Sequence, residues 1–222
     1  MNVKKIMLAI LLCLSVIFIF SACENTDGED KKDPTGDPAN AKKGGTFIIE
    51  LYPEYAPETV ANFVKLVGEG FYEGLTFHRI SSGFMAQGGG YGVDEYKFSE
   101  NDSKPTDSIT GEFASNGFTQ NTLKHTKGVI SMARTPNPNS AGSEFFIMYG
   151  SSPHLDGDYA AFGKVIEGMD VIDKLTSIKL KTGFAVDGDK ATIPVSPVII
   201  KKAVLLATKD GENPKVQMEI EY

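Results

Sequence analysis

The stretch "FHRISSGFMAQGGG", Phe77 to Gly90, decides how the chain is read. Its apolar content suits two short buried strands, Leu75–Ile80 and Phe84–Gln87. Yet the first carries Arg79 and the second Gln87. A guanidinium and an amide are costly in an apolar core unless they are hydrogen-bonded. They either face solvent or serve chemistry. A period of two places Arg79 on the side of Phe77, and Gln87 on the side of Met85. A cation, an amide and apolar groups on one face would make a specific binding surface. The plainer alternative is an arginine that faces water from a barrel strand, and periodicity does not show that the two strands are neighbours.

The glycines that end the stretch, in "QGGGYG", lack the Lys-Ser/Thr pair and the following helix of a phosphate-cradling loop. A tight turn or a close backbone approach is the expected role.

Outward from this stretch, "TFIIEL" alternates as a strand over residues 46–51. "APETVANFVKLVGEG" predicts a helix, with Pro57 in its first turn, Glu58 near its positive end, and Val60, Phe63, Val64 and Val67 on one face. Further strands are expected at Gly128–Ala133, Glu144–Met148, Ala160–Val165 and Val198–Leu206, and a short second helix in "EGMDVIDKLTS". Residues 91–122 and 179–196 read as irregular. Residues 207–222 read as a polar tail, although "VQMEIEY" alternates and could form an edge strand. Many strands and two helices in residues 45–206 predict one mostly β domain, a barrel or a sandwich.

The chain begins differently. Lys4 and Lys5 precede a run of 15 mostly apolar residues, Ile6–Phe20, in a protein of 222 residues. The run is shorter than the roughly 20 residues of a spanning helix and has the layout of a secretory leader. "FSAC" at its end resembles the lipobox of bacterial lipoproteins, with Phe20 where leucine is usual. The resemblance implies cleavage after residue 22 and a diacylglycerol on Cys23; an ordinary leader and an uncleaved anchor are the alternatives. Residues 24–44 hold no large apolar side chain and read as a flexible tether with a mean span on the order of 25 Å. The expected location is therefore outside the cytoplasm, lipid-anchored to the membrane.

Loss of Cys13 with the leader leaves one cysteine and no intramolecular disulfide. Loss of Lys4 and Lys5 takes the formal charge from -7 to -9, since residues 1–22 contain no acid. That acidity argues against a nucleic-acid partner and against electrostatic adhesion to anionic lipid. His78, His125 and His154 have no metal-binding spacing, so neither metal nor cofactor is expected. "SEFF" around Ser143 is not a nucleophile elbow.

Taken together, "LTFHRISSGFMAQGGG", "LKHTKGVISMAR", "NSAGSEFFI", "HLDGDYAAFGKVIEGMDVIDKL" and "PVIIKKAVL" resemble the cyclophilins, peptidyl-prolyl cis-trans isomerases. "FIIELYPEYAPETVANFVKLVGEGFYEGL" extends the likeness over nearly all of residues 45–206. The resemblance implies a closed eight-stranded antiparallel barrel capped by two α-helices. It implies that Arg79 is the catalytic arginine, assisted by Gln87. Phe84, Met85, Phe146 and Leu155 would hold a proline ring, and Ala133 would lie beside the substrate backbone. Arg134, Glu144, His154 and Tyr159 occupy substrate-binding positions where the best-known eukaryotic members carry asparagine, glutamine, tryptophan and histidine. The missing tryptophan implies weak cyclosporin binding. The implied partners are proline-containing polypeptides, and a monomer is expected.

Rotation about an Xaa-Pro bond needs no nucleophile, metal or proton transfer. It requires the twisted amide to be bound better than the planar one. An active isomerase assisting exported proteins is the leading expectation. A non-catalytic proline-binding or chaperone module and a lipid-anchored surface-interaction protein are the alternatives. Arg79, Phe84, Met85 and Gln87 together favour catalysis over the second; the acidic tether and the 91–122 segment are the support for the third.

Overall fold

A computed structural model of the chain describes residues 43–93, 106–182 and 191–222. The leader, Cys23, most of the tether and parts of both irregular stretches lie outside the described residues.

Among the described residues, ten strands and two α-helices follow in chain order: β1 Gly44–Leu51, α1 Pro57–Gly68, β2 Arg79–Ser81, β3 Met85–Gly88, β4 Val129–Met132, β5 Phe145–Met148, β6 Ala161–Glu167, α2 Met169–Lys174, β7 Leu180–Thr182, β8 Ala191–Pro194, β9 Ile199–Leu206 and β10 Lys215–Glu221. Eight strands form one antiparallel sheet in the order β2-β3-β5-β4-β6-β1-β10-β9, and β7 pairs with β8 in a separate ladder. The 179–196 stretch, expected to be irregular, therefore supplies two short strands. The regular ladder leaves β2 and β9 at its ends rather than running continuously around a barrel. Between those ends, Phe77 N–H donates to Val198 O, Gly74 N–H to Ile200 O and Ile200 N–H to Leu75 O, each at 2.8 Å, and Thr76 bridges Ile199.

The polar tail expected at 207–222 is a correction. Residues 215–221 form a strand between β1 and β9, an interior position rather than an edge. Val216, Met218 and Ile220 are fully buried, while Gln217, Glu219 and Glu221 alternate with them. Lys43 and Tyr222 exchange backbone hydrogen bonds at 2.9 and 2.7 Å, so the last two residues assigned to the tether, Lys43 and Gly44, belong to the sheet region of the domain.

The expected strand 75–80 is broken. Regular pairing begins only at Arg79, and the chain at Phe77–His78 leaves the strand conformation. The interruption cancels the shared parity of Phe77 and Arg79. Phe77 points into the core against Phe145 at 5.6 Å between ring centroids, and Arg79 faces outward and half-buried.

Strands β3, β4 and β5 are covered on both sides. Ala86, Ile130, Met132, Phe145 and Ile147 join the main core, whereas Met85, Val129, Phe146 and Met148 join a second apolar cluster with Leu155 and Ala161. A strand buried on both faces reads as a continuous apolar run, which is why alternation was hard to see here.

α1 buries Thr59, Val60, Phe63, Leu66 and Val67; Phe63 sits among Tyr72, Phe145 and Phe162 at 5.1–5.7 Å. Val64, expected on that face, is only partly buried. Ala56 offers the helix no side-chain cap. Glu112 supplies one from a distant loop: its carboxylate accepts from Glu58 N–H at 2.9 Å, Thr59 N–H at 2.8 Å and Thr59 Oγ1 at 2.7 Å. The carboxylate thus meets the donor-rich end of the helix and ties the 106–122 segment to it. Glu112→Ala strands buried donors, so urea unfolding is expected to show a loss of about 1–3 kcal/mol.

Candidate active site

β2 and β3 pair so that Arg79 stands directly opposite Gln87 and Ser81 opposite Met85. β5 pairs with β3 on its other side, with Gln87 opposite Phe146 and Met85 opposite Met148. Three adjacent strands thereby place an arginine, an amide and three large apolar groups, Met85, Phe146 and Met148, on one outer face. The turn between β2 and β3 carries Phe84, whose backbone N–H donates to Ser81 O at 2.9 Å. The turn Pro153–Leu155 swings Leu155 onto Phe146 and Met85, and leaves His154 exposed, stacked at 5.9 Å on Phe84.

All eleven residues expected at the catalytic and substrate-binding positions line one cleft of about 970 Å³: Arg79, Phe84, Met85, Gln87, Ala133, Arg134, Glu144, Phe146, His154, Leu155 and Tyr159. Cys23 lies outside the described residues. The cleft also takes Thr192 and Ile193 from β8, and His78, Tyr91, Thr106 and Ser108. Sequence reasoning passed over these residues because several belong to stretches with no readable period. His78 carried a signal, since a histidine next to Arg79 in a buried run needs a polar partner.

The polar side of the cleft is a linear chain. Arg79 Nη1 donates to Gln87 Oε1 at 3.0 Å, and Gln87 Nε2 donates to Glu144 Oε2 at 2.8 Å. His78 Nε2 lies 3.4 Å from the same Glu144 oxygen, with its ring edge-on to Tyr91. Burial alone would push the Glu144 carboxyl up. The hydrogen bond and charge of His78, with the hydrogen bond from Gln87, outweigh it and hold the carboxyl below its ordinary value.

The glycines fit the role of close approach. Gly89 adopts φ +87°, and a Cβ at Gly88 would fall 2.9 Å from Thr76 O. At Gly90 it would fall 2.6 Å from Glu144 Cγ.

On the apolar side, Tyr159 meets Phe146 edge-on at 5.9 Å. The Arg134 guanidinium lies over Tyr159 at 4.5 Å and over Phe113 at 5.0 Å. Arg134 also donates to Asp158 O from Nε and Nη2, and to Thr135 O from Nη1. Its side chain thus braces a wall of the cleft, with its donors turned to protein carbonyls.

Behind Phe146 the His125 ring stacks at 6.1 Å and 19°. Its Nδ1 lies 3.0 Å from Asp156 Oδ1 and its Nε2 3.0 Å from Ser131 Oγ. An ionised carboxylate only accepts, so Nδ1 carries the hydrogen and Nε2 accepts from the serine. Ser131 is fully buried, so this Ser-His-Asp row has no access to substrate.

Burial pushes the His125 imidazole down, and the Asp156 hydrogen bond and charge only partly offset it. The unfolded chain then takes up a proton at pH values where the folded chain still resists it. This contribution to stability is full above the ordinary imidazole value and is lost as pH falls through it towards the lower folded value. Tm is expected to drop as pH falls through the ordinary imidazole value of about 6.5, with a flatter profile in His125→Gln. Thermal melts on either side of that value check this.

Comparison with known proteins agrees with the geometry. Residues 39–205 match the family model described as cyclophilin type peptidyl-prolyl cis-trans isomerase. The chain is 40% identical over 150 residues to a probable peptidyl-prolyl cis-trans isomerase of Brucella suis, covering 64% of this chain and 72% of that one. It is 36% identical over 167 residues to peptidyl-prolyl cis-trans isomerase A of Dickeya dadantii, covering 73% and 80%. With peptidyl-prolyl cis-trans isomerase B of Bacillus subtilis it shares 39% over 148 residues, covering 65% and 93%. The crystal structure of a Cryptosporidium parvum cyclophilin-type isomerase, determined in the presence of the dipeptide Ala-Pro, superposes with a TM-score of 0.55 at 28% identity, covering 75% of this chain and all of that one. The chain belongs to the cyclophilin-type peptidyl-prolyl cis-trans isomerase family and is an enzyme of that class.

Proposed function

We propose that the protein accelerates cis-trans exchange of Xaa-Pro bonds in exported polypeptides, and so assists their folding outside the cytoplasm. The observation that carries the catalytic part is the hydrogen-bonded Arg79–Gln87 pair at 3.0 Å beside the apolar group of Phe84, Met85, Phe146 and Leu155. The apolar group holds the proline ring. As the bond twists, resonance is lost and the prolyl nitrogen gains a lone pair, and the Arg79 guanidinium donates to it. A planar fork that stays charged suits that task, and a preorganised donor contributes on the order of 3 kcal/mol. Gln87 holds the guanidinium at this place, and Ala133 lends backbone contact to the peptide. His154, where an indole is usual, offers a smaller surface, in keeping with weak cyclosporin binding. The hydrogen bonds between residues 74–77 and 198–200 support reading the sheet as a closed barrel, with the cleft on its outer face.

The cellular setting rests on the leader and "FSAC". Cys23 carries the lipid, and the tether, shortened to residues 24–42, lets the domain work near the membrane surface. Mass spectrometry of the mature N-terminus tests this part: wild type is expected to start at a diacylated Cys23, and Cys23→Ala to lack lipid and leave the membrane fraction. A variant still membrane-bound and diacylated contradicts the assignment. The catalytic part is tested by isomerisation of proline-containing test peptides; rates at the uncatalysed value leave only a proline-binding module.

A further inference from the structure

We propose that Glu144 is a positioning residue: its carboxylate fixes which end of the Gln87 amide faces Arg79, and through Gln87 it sets the aim of the guanidinium. The proposal rests on the isomerase reading given above for the part played by Arg79.

The chemistry turns on the two unlike ends of an amide. Gln87 lies between Arg79 on one side and Glu144 on the other. Arg79 can only donate, so the useful orientation puts Oε1 towards it. The reversed amide would set an NH₂ against a guanidinium, donor against donor. A glutamine at position 144 could donate or accept and would permit either orientation. An ionised carboxylate only accepts, so it draws Nε2 to itself and leaves Oε1 for Arg79.

Three further observations support the arrangement. Glu144 is held in its ionised form by His78 and Gln87 against the effect of burial. His78 approaches the same oxygen that Gln87 uses, so that oxygen is anchored from both sides. Gly90 leaves room for the Glu144 stem, because any Cβ there would meet Cγ, Cδ and Oε1 at 2.6–2.7 Å. Among the described residues, the charged and titratable groups gathered around Glu144 are His78 from the segment before β2, with Tyr91 packed on its ring, and, beyond Gln87, Arg79 on β2.

The test is a mutant cycle on the complete mature protein, with an Ala-Pro test peptide. Glu144→Leu is expected to lower kcat about tenfold with KM changed less than about twofold, since an interaction behind the reacting group is lost. Glu144→Gln keeps an acceptor and should restore kcat to within about threefold of wild type. In a Gln87→Leu background, Glu144→Leu should add less than about twofold, because the two act as one unit. Gly90→Ala displaces Glu144 without deleting it and should change kcat in the same direction as Glu144→Leu. A full additional tenfold loss without Gln87, or a rise in KM at unchanged kcat, overturns the proposal; the latter would make Glu144 a substrate contact. NMR of the Gln87 side-chain amide separates this from the isomerase reading. Its NH₂ signals should be shifted from those of a free glutamine in wild type and Glu144→Gln, and collapse towards them in Glu144→Leu. Unchanged signals in Glu144→Leu overturn the relay whatever the activity, whereas normal signals in an inactive wild type reject only the isomerase reading.

Discussion

Arg79→Ala is expected to lower kcat/KM towards Xaa-Pro peptides by about 10²–10³-fold, the loss typical of removing one preorganised donor to a developing charge or lone pair. Arg79 faces the cleft, half-buried and outside the core, so its removal leaves packing intact and Tm near that of wild type. Arg79→Lys keeps the charge but loses the planar fork that meets Gln87 at 3.0 Å. It is expected to recover little of the rate. A protease-free peptide assay with a melt of each variant gives both readouts. An Arg79→Ala protein that isomerises as fast as wild type removes the arginine from the mechanism.

The second large effect lies far from the cleft. A chain ending at residue 206 loses β10, and with it both its neighbours in the sheet lose a partner. Val216, Met218 and Ile220 are 0, 0 and 1% exposed. Burying each is worth about 1.5–3 kcal/mol, and three together rival the roughly 5–15 kcal/mol that holds a whole domain folded. The truncated chain is expected to aggregate or to give a poorly dispersed NMR spectrum without a cooperative melt. Met218→Asp in the full chain places an unpaired charge in the same core and should drop Tm steeply. A truncated protein with a native-like melt would show that β10 is dispensable. The residues matched by the family model end at 205, ten before β10 begins at 215, so this strand is a feature of the present chain that the family pattern does not cover.

The parts legible in the sequence were those with a strong local period or a dense motif. α1 announced itself through Pro57, Glu58 and a face spaced at three and four. The residues proposed for catalysis and binding sit in short ordered strings that a local reading can pick out, and the fold brings all eleven to one cleft. Three features were hidden for physical reasons. Arg79 and Phe77 share parity in the sequence, but the chain leaves the strand conformation at 77–78 and sends them to opposite sides. Val216, Met218 and Ile220 alternate as plainly as any strand. Their place between β1 and β9, however, is set by long-range pairing that no local window contains. Glu112 looked like any loop acid; its value comes from the uncapped end of a helix more than fifty residues earlier.

The most direct measurement is NMR exchange spectroscopy on a peptide with one Xaa-Pro bond, alone and with a small fraction of residues 24–222. Uncatalysed exchange takes tens to hundreds of seconds, too slow for cross-peaks between cis and trans signals. The protein is expected to bring exchange below about one second and make those cross-peaks appear, with Arg79→Ala abolishing them. Peptide that shifts the signals of Met85 and Phe146, yet exchanges no faster than in buffer, would contradict catalysis and leave a proline-binding module in its place.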